Sequence, residues 1–353
     1  MPQHVRVVPP DPAWAEGYRR ERALLSKVGQ EAGEELADYV QSMYRTIMAA
    51  SRSYENGKLG RGSKVYDGIK KAMEETPQLF PQRPTVACQG IEGAYSQIAC
   101  DRLFKAPSIL YFQSFDHVFK AVESGMCQYG ILPIENSTAG SVNAVYDLMI
   151  RHNFSIVRSA RLKVSHNLLA KPGTKLEDIR DVYSHEQALH QCADYLAGLK
   201  NVAVHVVENT AVAARMVAQS DRSDVAALSS RFCAEQYDLE IVQDNVQDQD
   251  NNYTRFICIT KDMQVAENAS VISVMLSISN EPGSLSRILN KFFLYGLDMT
   301  KIESRPIRDG SFDVVFHIDF KGNLRDRSIA AFLNDLCKSC RDFKLLGNAV
   351  VMV

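Results

Sequence analysis

Tyr129-Gly130-Ile131-Leu132-Pro133-Ile134-Glu135-Asn136-Ser137-Thr138 is the stretch that decides the fold. Six residues with buried character run straight into four hydrogen-bonding ones, and a second amphipathic run, Ser141 to His152, follows at once. This reads as a buried strand, a polar turn and a helix, the repeating unit of an α/β sheet. Thr254-Arg255-Phe256, leading into Ile257-Cys258-Ile259, has the same character. In open α/β sheets ligands bind outside such strand ends. The groups offered are hydroxyls, a carboxamide and a guanidinium, which suit a small carboxylate-bearing ligand.

Working outward, strands alternate with helices from Thr85 to about Lys261. Strands are expected at 85–89, 129–134, 181–184, 202–207, 225–228 and 255–259. Helices are expected at 94–104, 115–124, 141–152, 186–199, 210–219 and 230–237. The alternation implies a mostly parallel sheet covered by helices. A break near Lys171-Pro172-Gly173 divides it into two α/β lobes with a cleft between them. From Val271 the order becomes βαββαβ, a ferredoxin-like split unit over residues 270–353. Residues 1–57 read as a short all-α segment, with helices at 14–30 and 34–54. Leu36, Tyr39, Val40, Met43, Tyr44, Ile47 and Met48 make an amphipathic stripe on the second helix. Residues 58–84, rich in Gly and Pro and interrupted by a short amphipathic piece at 65–73, read as a linker to the two-lobed domain at 85–262.

Bulk composition excludes several classes. The 353 residues are 46% hydrophobic and 23% charged. Lys plus Arg number 40 against 42 Asp plus Glu, a net charge of -2. That balance argues against nucleic-acid binding, which needs a basic face. No apolar run approaches the roughly 20 residues of a membrane span, and Met1 to Trp14 lacks the apolar core of a secretory signal. The expectation is a cytoplasmic chain that meets neither nucleic acid nor membrane. Eight cysteines are scattered. Cys337 and Cys340 form a lone CxxC with no second ligand pair in sight, so two thiols on one helical face are expected and no metal.

With these elements in place, the central region resembles a prephenate dehydratase. The resemblance rests on Gly90 to Ser96, on Glu135-Asn136-Ser137-Thr138-Ala139-Gly140-Ser141-Val142, on Ser184-His185-Glu186-Gln187-Ala188-Leu189 with Gln191-Cys192, on Asn209-Thr210-Ala211, and on Asn252-Tyr253-Thr254-Arg255-Phe256. These five motifs stand in the family's order. Glu186 stands where the family often has Pro, and Asn209 where it often has Ser; both are helix entries where such side chains cap well. The resemblance implies a two-lobed, periplasmic-binding-protein-like fold and decarboxylating dehydration of prephenate to phenylpyruvate, with no cofactor. It implies a catalytic set of Thr254, Asn136 and Ser137. It implies substrate contacts from Arg255, Thr138, Ser96, Asn209, Thr210 and Phe256. Thr254 is then a hydrogen-bond partner or a proton donor for the leaving hydroxyl. Glu135 reads as a loop acceptor or a chemical group, His185 as a proton carrier or a cap, and His166 as structural.

The βαββαβ unit resembles an ACT domain, through Asn280-Glu281-Pro282-Gly283-Ser284-Leu285 and Glu303-Ser304-Arg305-Pro306. The implied effector is L-phenylalanine, held by Asn280, Pro282, Gly283, Ser284, Leu285, Glu303, Ser304 and Arg305. The implied assembly is a homodimer or homotetramer. The first helices resemble part of an all-helical chorismate mutase: Arg20 with Glu21, and Ser51 with Glu55, fall at its polar positions. The long first helix with its arginines is missing and Gly17 replaces an expected Asp, so the segment reads as a mutase remnant, or as one whose true start lies upstream of Met1, and its helices are expected to pack on a partner chain or another domain. Competing readings are a bifunctional chorismate mutase/prephenate dehydratase, an arogenate dehydratase and a non-catalytic two-lobed sensor.

Overall fold

The computed structural model describes residues 12–59, 64–279, 281–306 and 314–352. Two compact units emerge, one from residues 1–76 with 264–349, the other from 77–263 with 350–353. Among the described residues no helix is long and apolar enough to cross a membrane.

The first unit opens with α1 (Pro12–Ala32) and α2 (Ala37–Leu59), which form a hairpin, and α3 (Lys64–Glu75). The stretch expected to be a linker thus contains a three-turn helix that buries Ile69 and Ala72.

In the second unit, β1 (Thr85–Gln89), α4 (Tyr95–Leu103), β2 (Ser108–Phe112), α5 (Phe115–Glu123), β3 (Tyr129–Asn136), the short β4 (Gly140–Ser141), α6 (Asn143–Arg151) and β5 (Ser155–Lys163) build one lobe. The other lobe holds β6 (Asn167–Ala170), β7 (Asp181–Ser184), α7 (Glu186–Gln191), α8 (Ala193–Gly198), β8 (Ala203–Val206), α9 (Thr210–Gln219), β9 (Val225–Ser229), α10 (Arg231–Gln236) and β10 (Glu240–Gln243). Then β11 (Tyr253–Thr260) returns to the first lobe. The sheet orders are β5-β11-β3-β1-β2 and β10-β6-β9-β7-β8.

Both sheets are mixed rather than mostly parallel. β1 pairs in parallel with β2 and β3, whereas β11 runs antiparallel to β3 and β5. The cause is the double crossing between lobes. A strand that re-enters from the other lobe starts at the hinge, where β3 and β5 end, and must run back along them. β6 enters its own lobe in the same way, antiparallel to β9. The crossing lies at 164–166, so the break expected at Lys171-Pro172-Gly173 comes after the chain has already changed lobes.

Tyr129 to Leu132 are buried, as are Val118 and Val122 on α5. Gly130 lets that helix approach: a Cβ there would lie 2.9 Å from Val118 and 3.0 Å from Val122. Cys88, Cys100 and Cys258 fill the opposite side of the sheet with Phe104 and Phe256. Every cysteine is free and buried, Cys337 and Cys340 included.

The chain then re-enters the first unit as β12 (Val271–Ser277), α11 (Ser284–Leu294), β13 (Met299–Pro306), β14 (Val314–Lys321), α12 (Arg327–Cys337) and β15 (Asp342–Met352). The order β13-β14-β12-β15, all antiparallel, is the split arrangement expected of a ferredoxin-like unit. Phe292, Phe320 and Phe332 meet edge to face in its core, with centroids 4.8 to 5.4 Å apart.

The N-terminal helices find their partner within the same unit. α2 and α3 pack on α12. The Ser53 hydroxyl donates to Asp335 at 2.8 Å, Lys291 reaches the same carboxylate oxygen at 2.6 Å, and the Tyr295 hydroxyl donates to the Ser53 carbonyl at 3.0 Å. The apolar stripe of the second helix is largely uncovered: Leu36, Tyr39, Met43 and Ile47 are exposed. Glu21 pairs with Arg52 across the hairpin, while Arg20, Ser51 and Glu55 lie on its exposed side.

Candidate active site

The end of β3 meets the start of β11 beside the hinge, and the register pairs Thr254 with Asn136. The Asn136 amide donates to Thr254 Oγ1 at 2.9 Å, to Asn252 Oδ1 at 2.7 Å and to the Tyr253 carbonyl at 3.2 Å. Its carbonyl oxygen accepts from Thr138 Oγ1 and from the main chain of Thr138 and Ala139. Asn136 is therefore saturated on both ends and held in one orientation. Ser137 ties the turn to the returning strand: its hydroxyl donates to the Asn251 carbonyl and accepts from the Tyr253 amide.

One member of the cluster stood in a quoted motif but was given no role from the sequence. Gln191, the last residue of α7, donates to Thr138 Oγ1 at 3.0 Å and accepts from Asn252 at 2.9 Å. His166 Nε2 lies 2.9 Å from the same Gln191 oxygen. That oxygen has no hydrogen, so Nε2 is the donor and carries the proton. Burial pushes the His166 pKa below the usual histidine range, and the Gln191 bond opposes the shift without cancelling it. Nδ1 is buried without a partner among the described residues. Gln191 thus joins the second lobe to the end of β3, to the hinge and to the return strand. The expected helix 186–199 is divided at Cys192 into α7 and α8, which leaves Gln191 as the last residue of α7.

Thr254 accepts from Asn136 and keeps its own O–H free to donate. A cavity beside this cluster is lined by Thr138, Ala139, His185, Glu186, Gln187, His190 and Gln191. His185 caps α7, accepting at Nδ1 from the Gln187 amide. Asn209 caps α9 through a bond from the Val212 amide at 2.8 Å, and Thr210 is the first residue of that helix. The Gly90 to Ser96 turn also reaches the second lobe. Gly93 sits at φ +90°, and a Cβ there would meet Cys233 Sγ at 2.9 Å.

Three expected contacts fall elsewhere. Phe256 is only 3% exposed and belongs to the core of the first lobe, because its side chain points into the sheet face packed by α4. Ser96 is buried and donates to the Gln89 carbonyl. Arg255 faces away from Thr254, since neighbours in a strand point to opposite faces; its Nε lies 3.2 Å from Glu135 Oε1.

The expected effector residues lie in the other unit. Pro282 and Gly283 form the turn before α11, with Ser284 buried at its first position and Leu285 half-buried. Glu303, Ser304 and Arg305 lie on β13, at the edge of the sheet beside β14. Asn280 lies outside the described residues. Among the described residues no group of three or more His, Cys, Asp or Glu side chains is placed to hold a metal ion.

Comparison with known proteins gives the same picture. The family profile of prephenate dehydratase matches residues 86–264. Arogenate dehydratase/prephenate dehydratase 2 of Arabidopsis thaliana, a chloroplastic protein, is 34% identical over 330 residues, 86% of each chain. The solved prephenate dehydratase of Arthrobacter aurescens, in complex with L-Phe, is 26% identical with a TM-score of 0.68 over 75% of this chain and 89% of its own. A protein described as GqqA, a novel type of quorum-quenching acylase, is 29% identical with a TM-score of 0.69 over 76% of this chain and 98% of its own. The profile takes in nearly all of the two-lobed unit, including both crossings and the whole Asn136–Thr254–Gln191 cluster, and on that ground the chain belongs to the prephenate dehydratase family of lyases.

Proposed function

We propose that this chain converts prephenate to phenylpyruvate and that L-phenylalanine restrains it through the C-terminal βαββαβ unit, an ACT domain. The observation that carries the chemistry is the Asn136 to Thr254 bond, in which the Thr254 hydroxyl accepts and so keeps its own hydrogen to donate. In the reaction the ring carboxylate leaves as CO2, its bonding pair enters the ring, and the ring hydroxyl departs as water after gaining one proton. Thr254 is too weak an acid to supply that proton outright. It donates a hydrogen bond to the departing oxygen, strengthened because Asn136 donates into the same hydroxyl. Asn136 and Ser137 fix the turn, and Thr138 and Gln191 carry the fixation to the second lobe. The substrate anions are held by main-chain amides at the entries to α4 and α9, where Asn209 and Thr210 stand.

Two finer points belong to the same reading. Prephenate is preferred to arogenate here as the simpler reading of the resemblance, although the Arabidopsis relative carries both names. Regulation by L-phenylalanine is supported by the Arthrobacter enzyme, which was solved with that ligand. The effector contacts are Pro282, Gly283, Ser284 and Leu285 at the α11 turn and Glu303, Ser304 and Arg305 on β13, completed by Asn280, in a homodimer or homotetramer. The N-terminal hairpin is a mutase remnant in this reading, since it lacks the arginine-bearing first helix, and its Glu21 pairs with Arg52.

The test is phenylpyruvate formation by the purified full-length chain, with prephenate or arogenate, with and without L-phenylalanine, and a parallel assay of chorismate conversion. Turnover of prephenate lowered by L-phenylalanine is the expected result. Faster turnover of arogenate reverses the substrate assignment. No turnover of either by folded protein leaves a two-lobed sensor in its place.

A further inference from the structure

Four side chains around Asn136 close into a ring of hydrogen bonds. The Asn136 amide donates to Asn252 Oδ1 at 2.7 Å, the Asn252 amide to Gln191 Oε1 at 2.9 Å, the Gln191 amide to Thr138 Oγ1 at 3.0 Å, and the Thr138 hydroxyl to Asn136 Oδ1 at 2.7 Å. All four bonds run in one direction. Main-chain groups that cannot turn over fix that direction. The Thr138 and Ala139 amides only donate, and they meet Asn136 Oδ1; the Tyr253 carbonyl only accepts, and it meets the Asn136 amide. With Asn136 held so, the senses of Asn252 and Gln191 follow in turn.

One bond enters this ring and one leaves it. His166 Nε2 donates to Gln191 Oε1 at 2.9 Å, and Asn136 donates to Thr254 Oγ1 at 2.9 Å. His166 is 2% exposed, and its Nδ1 is buried with no hydrogen-bond partner among the described residues. A hydrogen on Nδ1 would be an orphaned buried donor, which is costlier than an unused acceptor. The neutral ring therefore carries its hydrogen on Nε2. The other tautomer would turn a lone pair on Gln191 Oε1, and a Gln191 amide turned over to meet it would oppose donor to donor at Asn252. The His166 main chain is itself fixed at the lobe crossing, its amide donating to Gln247 Oε1 and its carbonyl accepting from Val246. Thr138 is the exposed corner of the ring, where water competes, so the ring is held from its buried side by Asn252 and His166.

We propose that His166 is a positioning residue for the dehydration: its Nε2 hydrogen locks Gln191, keeps the ring closed and so strengthens the bond that Asn136 makes to the Thr254 hydroxyl. It touches no substrate. Bonds that run one way polarise one another, so a donor added at Gln191 makes Asn136 a stronger donor to Thr254, and Thr254 a stronger donor to the departing oxygen. The inference rests on the dehydratase reading and adds to it the residue that supports the donor from behind.

The experiment has a kinetic arm and an arm that needs no turnover, both on the full-length chain. His166→Leu is expected to lower kcat for prephenate about fivefold with KM unchanged, the factor of one ordinary hydrogen bond. His166→Gln, whose amide nitrogen falls near Nε2, restores kcat to within about twofold of the wild type. In the Thr254→Val background His166→Leu changes single-turnover rates by less than about twofold, because the group it supports is gone. If His166→Leu does not fold, His166→Asn takes its place, since its shorter amide does not reach Gln191. Nitrogen-15 NMR of the wild type is expected to show His166 with its hydrogen on Nε2, and the Asn136 side-chain hydrogens to exchange faster in His166→Leu. The proposal is overturned by the Nδ1–H tautomer, by unchanged Asn136 exchange, by a loss carried in KM, by His166→Gln no better than His166→Leu, or by the same loss in both backgrounds. A wild type that turns over neither prephenate nor arogenate overturns the dehydratase reading instead, and the NMR arm then decides alone whether His166 holds the ring.

Discussion

Replacing Thr254 by Val separates chemistry from stability more cleanly than any other change in the cluster. Val keeps the β-branched shape and removes only the hydroxyl. Asn136 loses one acceptor at 2.9 Å but retains Asn252 Oδ1 at 2.7 Å and the Tyr253 carbonyl at 3.2 Å. No buried donor is stranded, so the loss in stability is that of one ordinary hydrogen bond, about 1 kcal/mol. In a unit of this size that lowers the melting temperature by roughly 2–4 °C. The kinetic effect is larger. A donor aimed at an oxygen that gains charge only in the transition state contributes roughly 10²–10³ in kcat. The variant is therefore expected to lose at least about a hundredfold in kcat, with KM nearly unchanged because the ground state does not use the bond. Phenylpyruvate release at saturating prephenate, read beside a thermal melt, measures both quantities. A folded Thr254→Val protein within threefold of the wild-type kcat refutes the role given to this hydroxyl.

The remaining predictions concern the supports of the site and of the two units. Gln191→Ala removes bonds to Thr138, Asn252 and His166 and is expected to lower kcat about tenfold, each lost bond being about 1 kcal/mol before water replaces it; Gln191→Glu keeps the acceptor bonds, cannot donate to Thr138, and should fall between. His166 is held neutral by burial, so the unfolded chain binds its proton first as pH falls below the ordinary value of about 6.5. Stability is then lost from that point down to the lower pKa of the folded state and is flat above it; His166→Gln should flatten this slope in melts between about pH 5 and pH 7. Asp335→Ala leaves the Lys291 ammonium, only 13% exposed, without its carboxylate and is expected to cost about 3–5 kcal/mol in urea unfolding, against about 1 kcal/mol for Ser53→Ala. An Asp335→Ala loss under 1 kcal/mol would show that water already solvates the pair.

The strand-turn unit at Tyr129 to Thr138 could be read directly because a buried strand ending in side chains that satisfy one another leaves both a hydrophobic run and a polar cluster in the sequence. The split βαββαβ order was legible for the same reason. Strands β2, β4, β5, β6 and β10 were not found. β2 alternates weakly, with Leu110 and Tyr111 exposed. β5 carries Arg158, Arg161 and Lys163, which break its apolar pattern. β6 is four residues long and precedes the Pro172-Gly173 pair that drew the eye to the wrong crossing point. The opposite orientations of Thr254 and Arg255 follow from strand period alone, yet motif adjacency groups them together. The role of Gln191 stayed hidden, although its motif was read, because it lies in three partners, Thr138, His166 and Asn252, that are distant in sequence. The α2 stripe shows the limit of periodicity: it fixes that a helix forms, and the Ser53 to Asp335 contact decides which side is covered.

That contact also has a consequence for the order of synthesis. The first unit is made from two separated stretches of the chain, with residues 77–263 of the two-lobed unit between them. The helical hairpin leaves the ribosome with Ser53 and its neighbours uncovered, and the surface that receives it does not yet exist. At roughly 5–20 residues per second, the 282 residues from Ser53 to Asp335 delay its docking by some tens of seconds. During that interval the two-lobed unit can complete its fold, while the hairpin waits as an amphipathic pair open to other apolar surfaces. The N-terminal helices are thus made well before the surface on which they come to rest.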